Sequence, residues 1–180
     1  LEAGYEVRGF SRGKYPNLEA LGVHWVHGDL RQSEDVNEAC RGMDAVIHAA
    51  AVPGIWGTWN HYHSINTVGS RNVLQAIREH HIPYLVYTSS PSVTFGGDDQ
   101  SGIPEDVPYP EKWLCHYPHT KALAEQEILA AHSPGQLATC ALRPHLIWGE
   151  DDPHLIPRLI ERGKAGKLRI VGDGDNLIDM

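Results

Sequence analysis

Tyr84-Leu85-Val86-Tyr87-Thr88-Ser89-Ser90 is the stretch on which the fold turns. Its first five residues are aliphatic, aromatic or β-branched, and the small polar pair behind them ends the run, the pattern of a buried strand. Four more runs share that character: Tyr5 to Phe10, Val23 to Val26, Ala45 to Ala50 and Leu137 to Leu142. Helical stretches lie between and after them, over Ser33 to Cys40, about His61 to His80, His116 to His132 and His154 to Gly163. Short apolar strands separated by helices predict βαβ units, whose right-handed crossovers build a parallel sheet with helices on its faces. The expected fold class is α/β, a doubly wound parallel sheet.

Working outward, Leu1-Glu2-Ala3-Gly4 reads as the end of a helix closed by a glycine cap. The loop from Pro91 to Leu114 is long and rich in Gly, Pro and Asp, and long loops in compact domains are often functional. The character changes after Trp148-Gly149. That places a principal domain over residues 1–150 and the start of a second region over 151–180. At 180 residues the chain suits one compact domain rather than two.

Charge and composition exclude several classes. Fifteen Lys and Arg stand against 23 Asp and Glu, and a net charge of -8 repels both a phosphate backbone and an anionic membrane. Nucleic acid is not an expected partner. No apolar run approaches the roughly 18–20 residues of a membrane span, and no signal-peptide core opens the sequence, so the chain reads as cytoplasmic. Cys40, Cys115 and Cys140 are odd in number and widely spaced, which suits a reducing compartment. No metal is expected. His61-Tyr62-His63 is a close histidine pair, and no Cys or carboxylate cluster joins it at ligand spacing.

The chemistry centres on Tyr117-Pro118-His119-Thr120-Lys121. Residues four apart on a helix share a face, so the Lys121 ammonium can sit near the Tyr117 phenol. Pro118 fits only the first turn, which puts Tyr117 at the helix N-terminus. A nearby ammonium and the positive end of the helix dipole both favour the phenolate, an expected tuning toward acid/base work. Thr88-Ser89-Ser90 closes its strand at the carboxyl edge of the sheet, where ligands bind in open parallel folds.

Strand-ending Tyr-Thr-Ser-Ser, then Tyr-x-x-x-Lys, then Leu142-Arg143-Pro144-His145-Leu146-Ile147-Trp148-Gly149 resemble the motifs of extended short-chain dehydrogenases/reductases. Gly28-Asp29-Leu30, His48-Ala49-Ala50 and Asn66-Thr67-Val68-Gly69 fall in the order of that family. Within it the chain is most similar to the 3β-hydroxysteroid dehydrogenase-like branch. Gly54-Ile55-Trp56-Gly57, Thr88 to Thr94 and Leu142 to Gly149 narrow the likeness to bacterial 2-alkyl-3-oxoalkanoate reductases of olefin biosynthesis.

The resemblance implies a Rossmann-like fold and an NAD(P)-dependent oxidoreductase that interconverts a hydroxyl and a ketone on a hydrophobic substrate. It gives Ser90 the substrate carbonyl, Tyr117 the proton, Lys121 the nicotinamide ribose, and Asn66 a supporting place behind them. Asp29 and Leu30 would flank the adenine, with His48, Ala49, Ala50, Ala51 and Thr88 along the dinucleotide and Pro144 and His145 beside the nicotinamide. The family's first strand and Gly-rich turn are missing from this sequence, an expected gap in the middle of the sheet. Where NAD enzymes usually carry an acidic residue, Phe10-Ser11-Arg12 offers groups suited to a 2′-phosphate. NADP(H) is thus the expected cofactor, with NAD(H) possible, and the resemblance allows a homodimer, since family members often pair through helices. The competing readings are a sugar-nucleotide epimerase or dehydratase and a non-catalytic dinucleotide-binding protein. Pro91-Ser92, in place of a dehydratase Asp-Glu pair, and His145, in place of a frequent Asn, speak against the first. The presence of both Tyr117 and Lys121 speaks against the second.

Overall fold

The structure is a computed structural model that describes residues 1–150, 155–170, 172–175 and 177. The chain divides into two compact units, Leu1–Arg143 and Pro144–Met180. In the first, strands β1 (Arg8–Ser11), β2 (His24–His27), β3 (Ala45–His48), β4 (Tyr84–Thr88) and β5 (Ala138–Leu142) are all paired in parallel. The helices are α1 (Pro16–Ala20), α2 (Ser33–Cys40), α3 (Trp59–Tyr62), α4 (Gly69–Glu79) and α5 (His116–Ala130). The second unit contributes α6 (Leu155–Lys164); the expected start of this helix at His154 lies outside the described residues.

Strands form where β-branched and apolar residues run together, and the fold class is α/β, Rossmann-like, as expected. The sheet, however, is in two pieces: β1 pairs with β2, and β3-β4-β5 form a separate three-stranded sheet. A cavity of about 220 Å³ lies between the edges, lined by Arg8 and Phe10 from β1 and by Ala45 to His48 from β3. This is the expected gap. One core joins α2, α4, α5 and the face of β4 that carries Leu85 and Tyr87. The alternate residues point the other way, and Ile47 and Tyr84 stand 75% and 59% exposed. Apolar burial at about 25 cal/mol per Å² therefore acts on one face of the larger sheet.

Two expectations change. Leu1 to Gly4 is not a helix end but a turn, closed by the Gly4 N–H on the Leu1 carbonyl with Gly4 at φ 83°. The helix expected over His61 to His80 begins at Trp59, capped by the Thr58 hydroxyl on the His61 N–H. It passes through a π-helical segment, His63–Val68, before α4. Such segments insert a residue into a helix and occur often at functional sites. Among the described residues no helix is long and apolar enough to cross a membrane.

Candidate active site

Lys121 is only 2% exposed, and a bare ammonium in that setting needs an acceptor. Its Nζ donates to the Thr88 carbonyl at 2.6 Å and lies 4.1 Å above the Tyr87 ring. Helix α5 is thereby tied to the carboxyl end of β4. Burial lowers the Lys121 pKa to about 8, against an upward pull from Glu125. Tyr117 sits at the second position of the same helix, with Pro118 behind it in the first turn, where the missing N–H costs nothing. Burial pushes the phenol above its ordinary value, and hydrogen bonding from Ser90 pulls against it. The expected bias toward phenolate is thus reversed in this chain: the ammonium is spent on a carbonyl and desolvation dominates.

Ser90 is extended, at φ -157°, and opens the 3-10 turn Pro91–Thr94 by accepting from the Ser92 N–H. Its Oγ lies 2.8 Å from that of Ser92. Asn66, in the π segment, spends its amide on backbone and on α5. Its Oδ1 accepts from the Val52 N–H at 2.8 Å, and its Nδ2 donates to the Val52 carbonyl and the Thr120 hydroxyl, both at 3.2 Å. One buried amide therefore fixes the loop after β3 against α5. Ser70 donates to the Asn66 carbonyl at 2.6 Å and lies 2.8 Å from Nε2 of His48. Burial drives His48 down to about 3, so it is neutral. His48 is thus a member of this inner network and lines the gap between the sheets.

A second cavity, of about 280 Å³, gathers Ser11, Arg12, Asp29, Leu30, Ala50 and Ala51 from the ends of β1, β2 and β3. Phe10, Gly13, Tyr15, Val52 and Ile65, to which the sequence gave no role, join them. Their only signal was position at or after the end of a strand, or next to Asn66. Gly28 makes the close approach possible, since a Cβ there would meet the Phe10 ring at 2.4 Å. Asp29 forms a bidentate pair with Arg31 at 2.5–3.1 Å, which lowers its pKa to about 2. Arg12 is exposed, and the Ser11 hydroxyl accepts from the Gly13 N–H at 3.0 Å. Ala49 lines the inter-sheet gap instead, and Ala50 borders both cavities. Pro144 and His145 belong to the second unit.

His61 and His63 turn to aromatic neighbours, His61 against Tyr62 and His63 stacked on Trp59. Among the described residues no group of three metal-ligating side chains forms. Glu125, four residues beyond Lys121, went unmarked although helical spacing alone placed it on the same face.

The profile of the 3-beta hydroxysteroid dehydrogenase/isomerase family matches residues 9–180. The chain is 49% identical to the 2-alkyl-3-oxoalkanoate reductase of Shewanella oneidensis, over 99% of this chain and 48% of that protein. It is 37% identical to the human sterol-4-alpha-carboxylate 3-dehydrogenase, decarboxylating, over 99% of this chain and 48% of that one. Among solved structures, MoeE5 in complex with UDP-glucuronic acid and NAD superposes with a TM-score of 0.77 at 26% identity, covering 96% of this chain and 58% of that one. The chain spans about half the length of the curated relatives it matches.

Proposed function

The chain belongs to the 3-beta hydroxysteroid dehydrogenase/isomerase family, and from that premise we propose that it is the cofactor-binding half of an NAD(P)-dependent oxidoreductase. The reaction is reduction of a ketone, or its reverse, on a hydrophobic β-keto acid or 3β-hydroxysteroid-like substrate. The observation that carries this reading is the anchoring of Lys121 on the Thr88 carbonyl, which holds Tyr117 and Ser90 together at the carboxyl end of β4.

The residues fit a dinucleotide. The cavity lined by Ala50, Ala51 and Leu30 has the small and apolar walls an adenine needs, and Gly28, which also lines it, lets the Phe10 ring pack close. Ser11, Arg12, Asp29 and Leu30 would hold the adenosine end, Ala49 to Ala51 the middle, and Thr88 and Lys121 the nicotinamide end. Arg12 favours the 2′-phosphate of NADP(H), while NAD(H) remains a substrate. When bound, the nicotinamide supplies or accepts the hydride. Lys121 uses one of its three donors on Thr88 and has two for ribose hydroxyls. Ser90 donates to the substrate oxygen and fixes its orientation. Tyr117, whose phenol burial holds above its ordinary value, gives its phenolic proton to the oxygen of a ketone being reduced. Asn66 keeps the loop after β3 and helix α5 in register around them.

An apolar substrate is supported by Trp56, 88% exposed, on a loop whose Trp56 carbonyl accepts from the Tyr62 hydroxyl; the Tyr62 ring lies 6.5 Å from that of Tyr117. The three free cysteines accord with work in a reducing cytoplasm, and assembly as a homodimer completes the proposal. The test is to incubate the full-length protein with NADPH or NADH and a panel of 2-alkyl-3-oxoacids, sterols and sugar nucleotides, following nicotinamide absorbance. Turnover of an oxoacid or sterol is the expected result. Turnover of sugar nucleotides alone would replace the substrate class, and none with any compound would remove the assignment.

A further inference from the structure

Glu125 is fully buried, at 0% exposure, one helical turn beyond Lys121 on α5. Its carboxylate is held from two sides. Arg143, just past the end of β5, donates through Nη2 at 2.5 Å and through Nε to both oxygens at 3.2 Å, and the Tyr109 hydroxyl donates at 2.7 Å. Arg143 also reaches the Glu105 carbonyl at 3.0 Å. The long loop, the end of β5 and α5 therefore converge on a single carboxylate. A buried ion pair is weak evidence of stabilisation, because desolvation offsets most of the attraction, so its place asks for another reason.

That reason is found on the face it shares with Lys121. The groups around this ammonium include Tyr87 beneath it on β4, neutral His48 on β3 and Glu125 on α5, with Arg143 and Tyr109 behind Glu125, while Tyr117 stands one turn back on the same helix. Glu125 alone among them carries negative charge. We propose that Glu125 is a positioning residue of the acid/base site: its carboxylate, locked by Arg143 and Tyr109, keeps the buried Lys121 ammonium charged and directed at the Thr88 carbonyl beside Tyr117. This rests on reading Tyr117 and Lys121 as the working pair. Burial has brought Lys121 to about 8, and Glu125 opposes that fall. Burial also works against charge on Glu125 itself, and the donors from Arg143 and Tyr109 outweigh it and leave the carboxyl below its ordinary value.

The experiment uses full-length enzyme labelled with 13C at the lysine ε-carbon, with Lys121→Arg to assign the Lys121 resonance. Glu125→Gln should lower the Lys121 titration by about one pH unit or more, because a fixed charge one turn away in a partly dry interior acts with that strength. The alkaline limb of kcat/KM should move to lower pH by the same amount. A folded variant in which both stay put overturns the proposal. Because Glu125→Gln leaves the Arg143 guanidinium without its partner and can unfold the protein, the wild type gives a second arm. The Glu125 carboxyl 13C resonance should shift through the pH range in which Lys121 loses its proton, and a flat trace there overturns the proposal as well. A Tyr117→Phe enzyme with undiminished turnover would instead remove the acid/base reading while leaving the Lys121 shift intact.

Discussion

The two sheets of this molecule handle their ligand groups in opposite ways. Around β3, β4 and β5, polar groups are buried and tied to one another: Lys121 to Thr88, Asn66 to Val52 and Thr120, His48 to Ser70. Around β1 and β2 the strands are half-buried or exposed, and the charged groups Arg12 and Arg31 reach solvent. In the first region a hydrogen bond replaces water at high cost if broken. In the second, water and salt screen each contact. On the function proposed above, the chemistry belongs to the dry half and cofactor choice to the wet half, and substitutions should separate along that line.

The largest effect is expected from Tyr117→Phe in the full-length enzyme. Turnover should fall by about 10²–10⁴, the usual worth of a positioned general acid, with cofactor affinity nearly unchanged. Wild-type turnover on the true substrate would end the distinction between the halves.

Next comes the inner network, read through pH. His48 titrates at about 3 in the folded chain and near 6.5 when unfolded, so the unfolded chain takes up the proton first. The stability that a neutral His48 contributes is complete above pH 6.5 and is lost as pH falls toward 3. Between pH 7 and about 4.5 this amounts to roughly 2–3 kcal/mol. His48→Gln retains a partner for Ser70 without the titration, and urea unfolding at the two pH values should show it losing less by that amount. Equal losses would place His48 outside the buried network.

The smallest effect is expected in the wet half. Arg12→Ala should raise the Michaelis constant for NADPH by about tenfold, the lower end for a charge-assisted contact because Arg12 is exposed, and scarcely alter that for NADH. Equal losses with both cofactors, or a wild type that prefers NADH, would take the 2′-phosphate away from Arg12.

Much of this was legible in the residues because periodicity and punctuation are local. The run Tyr84 to Thr88 is a strand over those same residues, and Ser33 to Cys40 a helix over its own. Pro118 set the start of α5, and the spacing of Tyr117 and Lys121 put both on that helix. The order of motifs was enough to name the family, which the match over residues 9–180 bears out. What the sequence could not decide were quantities set by neighbours distant along the chain. Burial, not the adjacent lysine, governs the Tyr117 phenol, and the partners of Asn66 are Val52, fourteen residues away, and Thr120. Glu125 is joined to Tyr109 and Arg143 by contacts that exist only once α5, β5 and the long loop have packed. Local patterns fix where elements form because each depends on a few adjacent dihedrals and side chains. The sign of a pKa shift and the partner of a buried amide depend on desolvation, and desolvation is created by tertiary packing alone.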